Sequence, residues 1–295
     1  MIIARAPAKI IIIGEHFVVH GSHALAASID RYITVLASHS TRDELFSNGR
    51  PVKADFIFSS IDRITKGSHV KLQVKSQIPK GAGLGSSAAI SVASAIAVSK
   101  LFGINPDPEF LFEVAMESER LVHGNPSGID VAASLYGGFI LFKRGEIRSI
   151  SSQEIQFIII DSKQRRRTKS LVNRVKKFME LNPDLFSALI NSVDIMAQEG
   201  ASAISDGRLE RLALFMNISQ SFLELIGVST AKIEKIISGL KGSIVGAKIT
   251  GAGGGGCIIA LPRKGIAPKD GYVVTAGVPG AYEINFGHKV QIPTI

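Results

Sequence analysis

The chain has 295 residues, about twice the usual length of a single domain, so we expect two domains. Its 45% hydrophobic and 20% charged residues are typical of a folded globular protein and exclude a disordered one. The longest apolar runs, such as residues 10–13 and 157–160, are strand-sized, which excludes a membrane-spanning helix of roughly 20 apolar residues. Residues 1–7 lack the pattern of a secretory signal, so the expected location is the cytoplasm.

The only cysteine is Cys257, which excludes an intramolecular disulfide and a CxxC metal or redox site. The net charge of +9 suits an anionic ligand such as a nucleotide, although a diffuse positive charge also serves solubility. The densest basic run, residues 163–169, has no interleaved aromatic residues and favours a solvated surface loop over a polyanion contact. We therefore expect neither a nucleic acid nor a membrane as partner.

The order of the predicted elements favours an α+β fold. Short β-branched runs predict strands at residues 2–6, 8–13, 33–38, 54–58 and 70–75, and apolar spacing predicts helices at 87–101 and 108–122. After a change in character near residues 150–165, helices are predicted at 168–181, 184–200, 206–224 and 229–239, then strands at 243–248, 256–261, 271–276 and 281–286. Runs of strands followed by runs of helices are typical of α+β proteins, whereas doubly wound α/β folds alternate the two.

The segment PKGAGLGSSAA, residues 79–89, lies between a predicted strand and a predicted helix. Its alternating glycines let the backbone approach a ligand, and the helix start offers free N–H groups and a positive dipole end, which suits phosphate. The Ser87 hydroxyl could bind a Mg²⁺ ion that bridges phosphates. The segment is not a Walker A loop, and a tight turn that needs small residues for packing would leave the same pattern.

A second glycine segment, GAGGGG at residues 251–256, follows a predicted strand. So many glycines lose much chain entropy on ordering, which favours a backbone that passes close to a ligand or to another loop. A flexible loop or a glycine-rich bulge is the alternative.

Two carboxylates, Glu119 and Asp130, flank a turn dense in Gly, Pro and Asn, so they can converge from a helix end and the next element. In phosphoryl transfer one carboxylate can hold Mg²⁺ while the other accepts the proton of the attacking hydroxyl. Acidic residues on helices are more often solvated. Lys9 heads the apolar run 10–13, where its charge needs a polar site or a position at the rim.

Together these segments resemble the family of galactokinase, homoserine kinase, mevalonate kinase and phosphomevalonate kinase, the GHMP kinases. The motifs of that family occur in order, and the similarity spans nearly the whole chain. APAK at residues 6–9, GEHFVVHG at 14–21 and HGNPSGID at 123–130 are similar to the mevalonate-specific forms of the motifs. Ala8 stands where many relatives have glycine.

The resemblance implies an α+β fold of two domains. The N-terminal domain, residues 1–155, would be like ribosomal protein S5 domain 2, and the C-terminal domain, residues 156–295, would be ferredoxin-like. The active site would lie in the cleft between them, with ATP and Mg²⁺ as cofactors and mevalonate as the small-molecule partner. The resemblance leaves monomer and homodimer open.

The resemblance also implies residue roles. Asp130 and Lys9 would be catalytic, Ser87 and Glu119 would hold Mg²⁺, and Lys9, Glu15, His16 and Asp130 would bind the substrate. The nucleotide-binding residues would be Pro79, Gly81, Ala82, Gly83, Leu84, Gly85, Ser86, Ser87, Gly251 and Gly253. The implied reaction is ATP-dependent phosphorylation of the C5 hydroxyl of mevalonate. The alternatives are a related kinase whose phosphorylated substrate binds near residues 165–167, and a nucleotide-binding relative without catalysis.

Overall fold

The computed structural model of the protein describes residues 1–79, 81–164, 168–263 and 271–284. The strands are β1 (Ile2–Ile13), β2 (Ala24–His39), β3 (Glu44–Ser47), β4 (Arg50–Pro51), β5 (Val70–Ser76), β6 (Phe139–Lys143), β7 (Glu146–Ile150), β8 (Ile155–Asp161), β9 (Ile244–Ile249), β10 (Cys257–Pro262), β11 (Tyr272–Ala276) and β12 (Tyr282–Ile284). The helices are α1 (Asp55–Thr65), α2 (Ser86–Leu101), α3 (Pro108–His123), α4 (Ile129–Tyr136), α5 (Thr168–Leu181), α6 (Pro183–Ser205), α7 (Leu209–Leu225) and α8 (Ala231–Gly239).

One mixed sheet runs through both halves of the chain, in the order β4-β3-β5-β2-β11-β8-β10-β9. The long strand β2 organises it, because β2 pairs with β1 and β6 as well as with β5 and β11. Two strand pairings link the halves: β11 meets β2 at the single register pair Ala276 and Ile29, and β12 pairs with β1. The division of the chain at residues 155 and 156 stays a prediction.

Strand β1 is continuous, although the sequence predicts separate strands at 2–6 and 8–13. The pairing of β1 with β2 shifts register between Pro7 and Ala8, so the proline lies at an irregularity of the strand instead of ending it. Proline has no N–H group for a sheet ladder and is tolerated at bulges. Residues 6–13 are buried throughout, and Lys9 is among them.

Helix α2 is covered by protein on nearly all sides, because its sequence is mostly Ala, Ser and Val. Small side chains let the helix lie close to β1, β2 and α3, and helices that are apolar all round are buried. The predicted helix at 87–101 is confirmed to within one residue. Asp107 is the N-cap residue of α3, and its carboxylate accepts a hydrogen bond from the Phe110 N–H at 2.7 Å.

The strand predicted at residues 54–58 is wrong, because these residues lie in or next to α1. The buried positions Ile57, Ile61 and Ile64 recur at helical spacing and form one face of a helix that continues to Thr65. A five-residue apolar run fits a strand and a buried helix equally well. The helix is recognised only from the residues that follow the run.

The second half follows the prediction closely. Helices α5 to α8 and strands β9 to β11 agree with the expected positions, and β12 covers the part of 281–286 that the structure describes. None of the helices in the described ranges is long and apolar enough to span a membrane. The α+β fold class is confirmed.

Candidate active site

Lys9 and Asp130 meet at the centre of the site. Their Nζ and Oδ1 atoms are 3.0 Å apart, although 121 positions of sequence separate them. The Lys9 side chain is only 2% exposed, whereas the Asp130 side chain is 34% exposed. Lys9 therefore approaches the pair from the protein interior, and Asp130 presents its carboxylate toward open space.

The turn between β5 and α2 closes over Lys9. The Lys9 ammonium donates to the Gly83 carbonyl at 3.2 Å, and the Lys9 N–H donates to the Leu84 carbonyl at 3.0 Å. The side chains of Ala82 and Leu84 are buried and anchor the turn, whereas Pro79 and Gly81 are exposed. The backbone of this turn thus lines the site while its apolar side chains hold it in place.

The start of α2 has the form of a phosphate site. Gly85 is the N-cap residue and provides no side-chain acceptor, so the N–H groups of the first turn, beginning with Ser86 and Ser87, are available to a ligand. The positive end of the helix dipole adds to their attraction for an anion. Because Lys9 lies directly beneath Gly85, an anion here would lie close to the Lys9–Asp130 pair.

Ser87 and Glu119 lie together at the mouth of the site. Nε2 of His123 lies between them, 3.2 Å from Ser87 Oγ and 3.7 Å from Glu119 Oε2. A hydrogen bond of 2.8 Å from the Ser91 hydroxyl to Ser118 holds α2 and α3 together one turn away. The packing of these two helices therefore brings Ser87 and Glu119 together.

The environment of Glu119 fits a cation. Burial, together with the negative charge of Asp130, raises the pKa of Glu119 to about 7. The Ser87 hydroxyl and the positive charge of Lys9 oppose this shift. Its Oε1 atom is buried without a hydrogen-bond partner. A buried acceptor with no donor is unfavourable unless an unseen group satisfies it, and Mg²⁺ prefers such oxygen ligands.

Among the residues that the structure describes, no three His, Cys, Asp or Glu side chains could hold a metal ion by themselves. Mg²⁺ in phosphoryl-transfer sites is usually held by one or two protein oxygens together with substrate phosphates. Ser87 and Glu119 are such a pair, and phosphates at the start of α2 would complete the set.

The glycine segment 251–256 passes close to other protein backbone. A Cβ atom added to Gly253 would lie 2.4 Å from the Val228 carbonyl oxygen, and one added to Gly255 would lie 2.4 Å from the Gln164 carbonyl oxygen. The Cys257 N–H donates to the Ala82 carbonyl at 3.2 Å, which ties the end of this segment to the phosphate turn. Gly253 is thus needed for packing against a neighbouring loop, while Gly251 follows Thr250, whose hydroxyl accepts a hydrogen bond from the Ile11 N–H of β1.

The predicted substrate residues Glu15 and His16 lie in the turn after β1, next to the glycine segment. His16 has a positive φ of 63°, and its Nε2 is 3.0 Å from the Ala252 carbonyl oxygen. Burial lowers the pKa of His16, so the ring is neutral and Nε2 donates to that carbonyl. Glu15 is buried, and its Oε1 accepts a hydrogen bond from Lys248.

Two site residues, Lys248 and His123, have no role predicted from the sequence. Lys248 is fully buried in the otherwise apolar strand β9, so the argument that singled out Lys9 applies to it as well. His123 belongs to the HGNPSGID motif of residues 123–130. It lies four residues after Glu119 on α3, so both side chains are on the same face of that helix. Residues 165–167, where a phosphorylated substrate was expected to bind in one alternative, lie outside the described residues.

Two family models match parts of this chain. Residues 54–138 match the family model described as GHMP kinases N terminal domain, and residues 201–271 match the one described as GHMP kinases C terminal. The chain belongs to the GHMP kinase family.

Its relatives within the family include archaeal enzymes. The chain is 33% identical to the mevalonate kinase of Thermococcus sibiricus, with 94% of each chain covered, and 35% identical to that of Aeropyrum pernix, with 89% of each covered. Its structure is similar to the crystal structure of L. major mevalonate kinase in complex with R-mevalonate, with a TM-score of 0.79 and 25% identity. That similarity covers 93% of this chain and 95% of the other.

Membership of the GHMP kinases confirms the resemblance found in the sequence, and it confirms an ATP-dependent kinase. The roles of the individual residues stay predictions, and the geometry above defines how each can be tested.

We predict that Gly85→Ala slows this GHMP kinase far more than Gly81→Ala does. The two glycines have nearly the same φ, 74° and 72°, so an alanine costs about 1 kcal/mol of backbone strain at either position. At Gly85, however, the new methyl group would lie 2.8 Å from Lys9 Cγ and displace the ammonium, whereas at Gly81 it meets nothing within 4 Å. A displacement of this kind should lower kcat by roughly 10- to 100-fold. Equal kcat values in the two variants would contradict the prediction.

We also predict that Glu119 makes stability fall with rising pH in the absence of Mg²⁺ and ATP. Between its ordinary pKa of 4.5 and the folded value of about 7, the folded state binds more protons than the unfolded state. The free energy of unfolding therefore decreases as the pH rises through this window, by at most about 3 kcal/mol from this group. Urea unfolding in EDTA at pH 5 and pH 8 should show a smaller decrease for Glu119→Gln than for the wild type. The same decrease in both proteins would show that burial does not perturb Glu119.

Proposed function

We propose that this GHMP kinase is a mevalonate kinase, which transfers the γ-phosphoryl group of ATP to the C5 hydroxyl of mevalonate and forms 5-phosphomevalonate and ADP. The observation that carries the chemistry is the Lys9–Asp130 pair, 3.0 Å apart, beside a helix start that suits polyphosphate. The choice of substrate is supported by two archaeal mevalonate kinases, to which this chain is 33% and 35% identical over nearly their full length.

In this proposal Asp130 receives the substrate hydroxyl. Its carboxylate is the exposed member of the pair, so the hydroxyl can approach it from the open side and donate its proton to a carboxylate oxygen. The Lys9 ammonium lies on the opposite, buried side, where it stabilises the negative charge that grows on the hydroxyl oxygen. The protein contributes mainly position and electrostatics, as expected for phosphoryl transfer.

The turn at residues 81–85 and the start of α2 hold the triphosphate in this proposal. Ser87 and Glu119 would hold Mg²⁺, which would supply positive charge to the phosphate oxygens. The buried Glu119 carboxylate would bind the cation in its ionised form, so proton release from this residue would accompany Mg²⁺ binding.

A nucleotide-binding relative without catalysis is disfavoured by the same pair. Burying the ammonium of Lys9 costs several kcal/mol, which the Asp130 carboxylate and the Gly83 carbonyl offset. In a protein that only bound nucleotide, no catalytic function would explain a buried lysine paired with an aspartate beside the phosphate site.

The purified protein with ATP and Mg²⁺ should release ADP when mevalonate is added. Galactose, homoserine and phosphomevalonate, tested at equal concentration, should give kcat/KM values at least tenfold lower. Formation of 5-phosphomevalonate identifies the product by its mass and phosphorus spectrum. Turnover of another alcohol in the panel together with silence toward mevalonate would overturn the substrate and retain the kinase.

Replacement of Asp130 by Asn should lower kcat by about 10²- to 10⁴-fold, because the amide keeps the shape of the carboxylate but cannot accept the proton. The Kd for ATP, measured by calorimetry, should change little. Asp194→Asn is the matched control, since Asp194 Oδ1 is also 3.0 Å from a lysine Nζ, that of Lys143, but its partners lie outside the site. Undiminished turnover in Asp130→Asn would remove this residue from the mechanism.

A further inference from the structure

A second buried lysine lies next to the site. Lys248 on β9 is 0% exposed, and its ammonium donates to Glu15 Oε1 and, at 2.6 Å, to the Ile249 carbonyl. Burial lowers the pKa of Lys248 and raises that of Glu15, while their mutual attraction opposes both shifts. Removing two charges from water is so costly that such a pair is weak evidence for stability and calls for another explanation.

Glu15 is sealed from the open part of the site. Its Oε1 is taken by Lys248, and its Oε2 is buried without a hydrogen-bond partner. Neither oxygen faces solvent, so the carboxylate acts on its surroundings through Lys248 and through the backbone of its own turn. This geometry favours an indirect role for Glu15 over direct contact with substrate.

The pair belongs to a set of contacts that join the turn after β1 to the turn after β9. We call this set the turn clamp. Its members are the Glu15–Lys248 pair, the His16 ring with the Ala252 carbonyl at 3.0 Å, and the Thr250 hydroxyl with the Ile11 N–H at 2.9 Å and the Ile11 carbonyl at 3.3 Å. The turn clamp fixes residues 11–16 against residues 248–252, which are more than 230 positions later in the chain.

The pair also acts on the catalytic lysine. The charge of Glu15 attracts Lys9, and the charge of Lys248 repels it. With both charges present, their forces on the Lys9 ammonium oppose each other. The contacts with Asp130 and Gly83 then fix the position of the ammonium. Loss of one partner would leave a single unbalanced charge near the transfer centre.

We propose that Lys248 is a positioning residue for phosphoryl transfer. By holding Glu15, it fixes the turn of residues 14–16 against the glycine segment, keeps the His16 ring on the Ala252 carbonyl, and keeps the Glu15 charge in place near Lys9. This inference rests on the proposed kinase function and adds to it a residue from the C-terminal half. It also assigns Glu15 to the positioning machinery.

The test is a double-mutant cycle of Lys248→Met, Glu15→Met and the two combined. Each single variant leaves a buried polar group without its partner and should lower Tm, whereas the double variant should recover most of the loss. We expect the double variant, although stable, to show at least a tenfold lower kcat/KM for mevalonate with an unchanged KM for ATP. Wild-type kinetics in a stable double variant would overturn the proposal, because a purely structural pair predicts that result.

A matched control is the double variant Lys143→Met with Asp194→Asn. It removes a different lysine–carboxylate contact between the two halves of the chain, 3.0 Å long, at a place outside the turn clamp. Its kcat/KM should stay within about twofold of the wild type. A tenfold loss here would show that any pair linking the halves has the same effect, and it would overturn the specific role of Lys248.

Two further measurements keep the proposal testable if the cycle variants fold poorly or if mevalonate is not the substrate. Glu15→Asp keeps both charges but draws the carboxylate back by one methylene group, so kcat should fall. The ring ¹⁵N signals of His16 should report a fixed, neutral Nε2–H tautomer in the wild type and lose this signature in Lys248→Met. An unchanged His16 signature would overturn the positioning role whatever alcohol the enzyme uses, whereas silence of the wild type toward mevalonate would overturn only the proposed substrate.

Discussion

Lys9 carries a positive charge into the interior of the protein on a strand whose neighbouring residues are apolar. In such surroundings the attraction between opposite charges is much stronger than in water, and an unpaired ammonium is correspondingly costly. The Asp130 carboxylate and the Gly83 carbonyl satisfy this charge, and both come from elements far away in sequence. The positions of α4 and of the phosphate turn are thus coupled to that of β1, so that folding of the first half and assembly of the site are one event.

Much of the fold could be predicted from the sequence because its signals are local. The apolar spacing of α2 and the Asp107–Pro108 start of α3 identify helices without knowledge of their partners. The start of helix α1 is predicted as a strand because an apolar run as short as residues 54–58 has no periodicity of its own. Strand β8 contains the apolar run 157–160, which is visible in the sequence. Strands β6 and β7 are short, and only the pairing of β6 with β2 and with β7 defines them.

The site was predictable where chemistry leaves few alternatives and unpredictable where three-dimensional proximity decides. A lysine at the head of an apolar strand needs an anionic partner, and Asp130 lies within 3.0 Å of it. The same reasoning applies to Lys248, but nothing local in the sequence connects β9 with Glu15, more than 230 positions earlier. The glycines at 253 and 255 show the converse, because their composition indicates a close approach but not whether a ligand or another loop is the neighbour.

The last described strand lies against the first. Residues 282–284 of β12 pair with residues 3–5 of β1, and the Val278 carbonyl accepts hydrogen bonds from the Gly138 N–H and the Ser28 hydroxyl. Because a ribosome delivers the chain from its N-terminus, the first half emerges long before this segment does. The nascent protein must therefore keep one side of its opening strand uncovered while more than a hundred further residues are made, and during that time an exposed strand edge can pair with a neighbouring chain. Rapid synthesis of residues 282–284, or protein that covers the edge of residues 3–5 until they emerge, would limit such pairing.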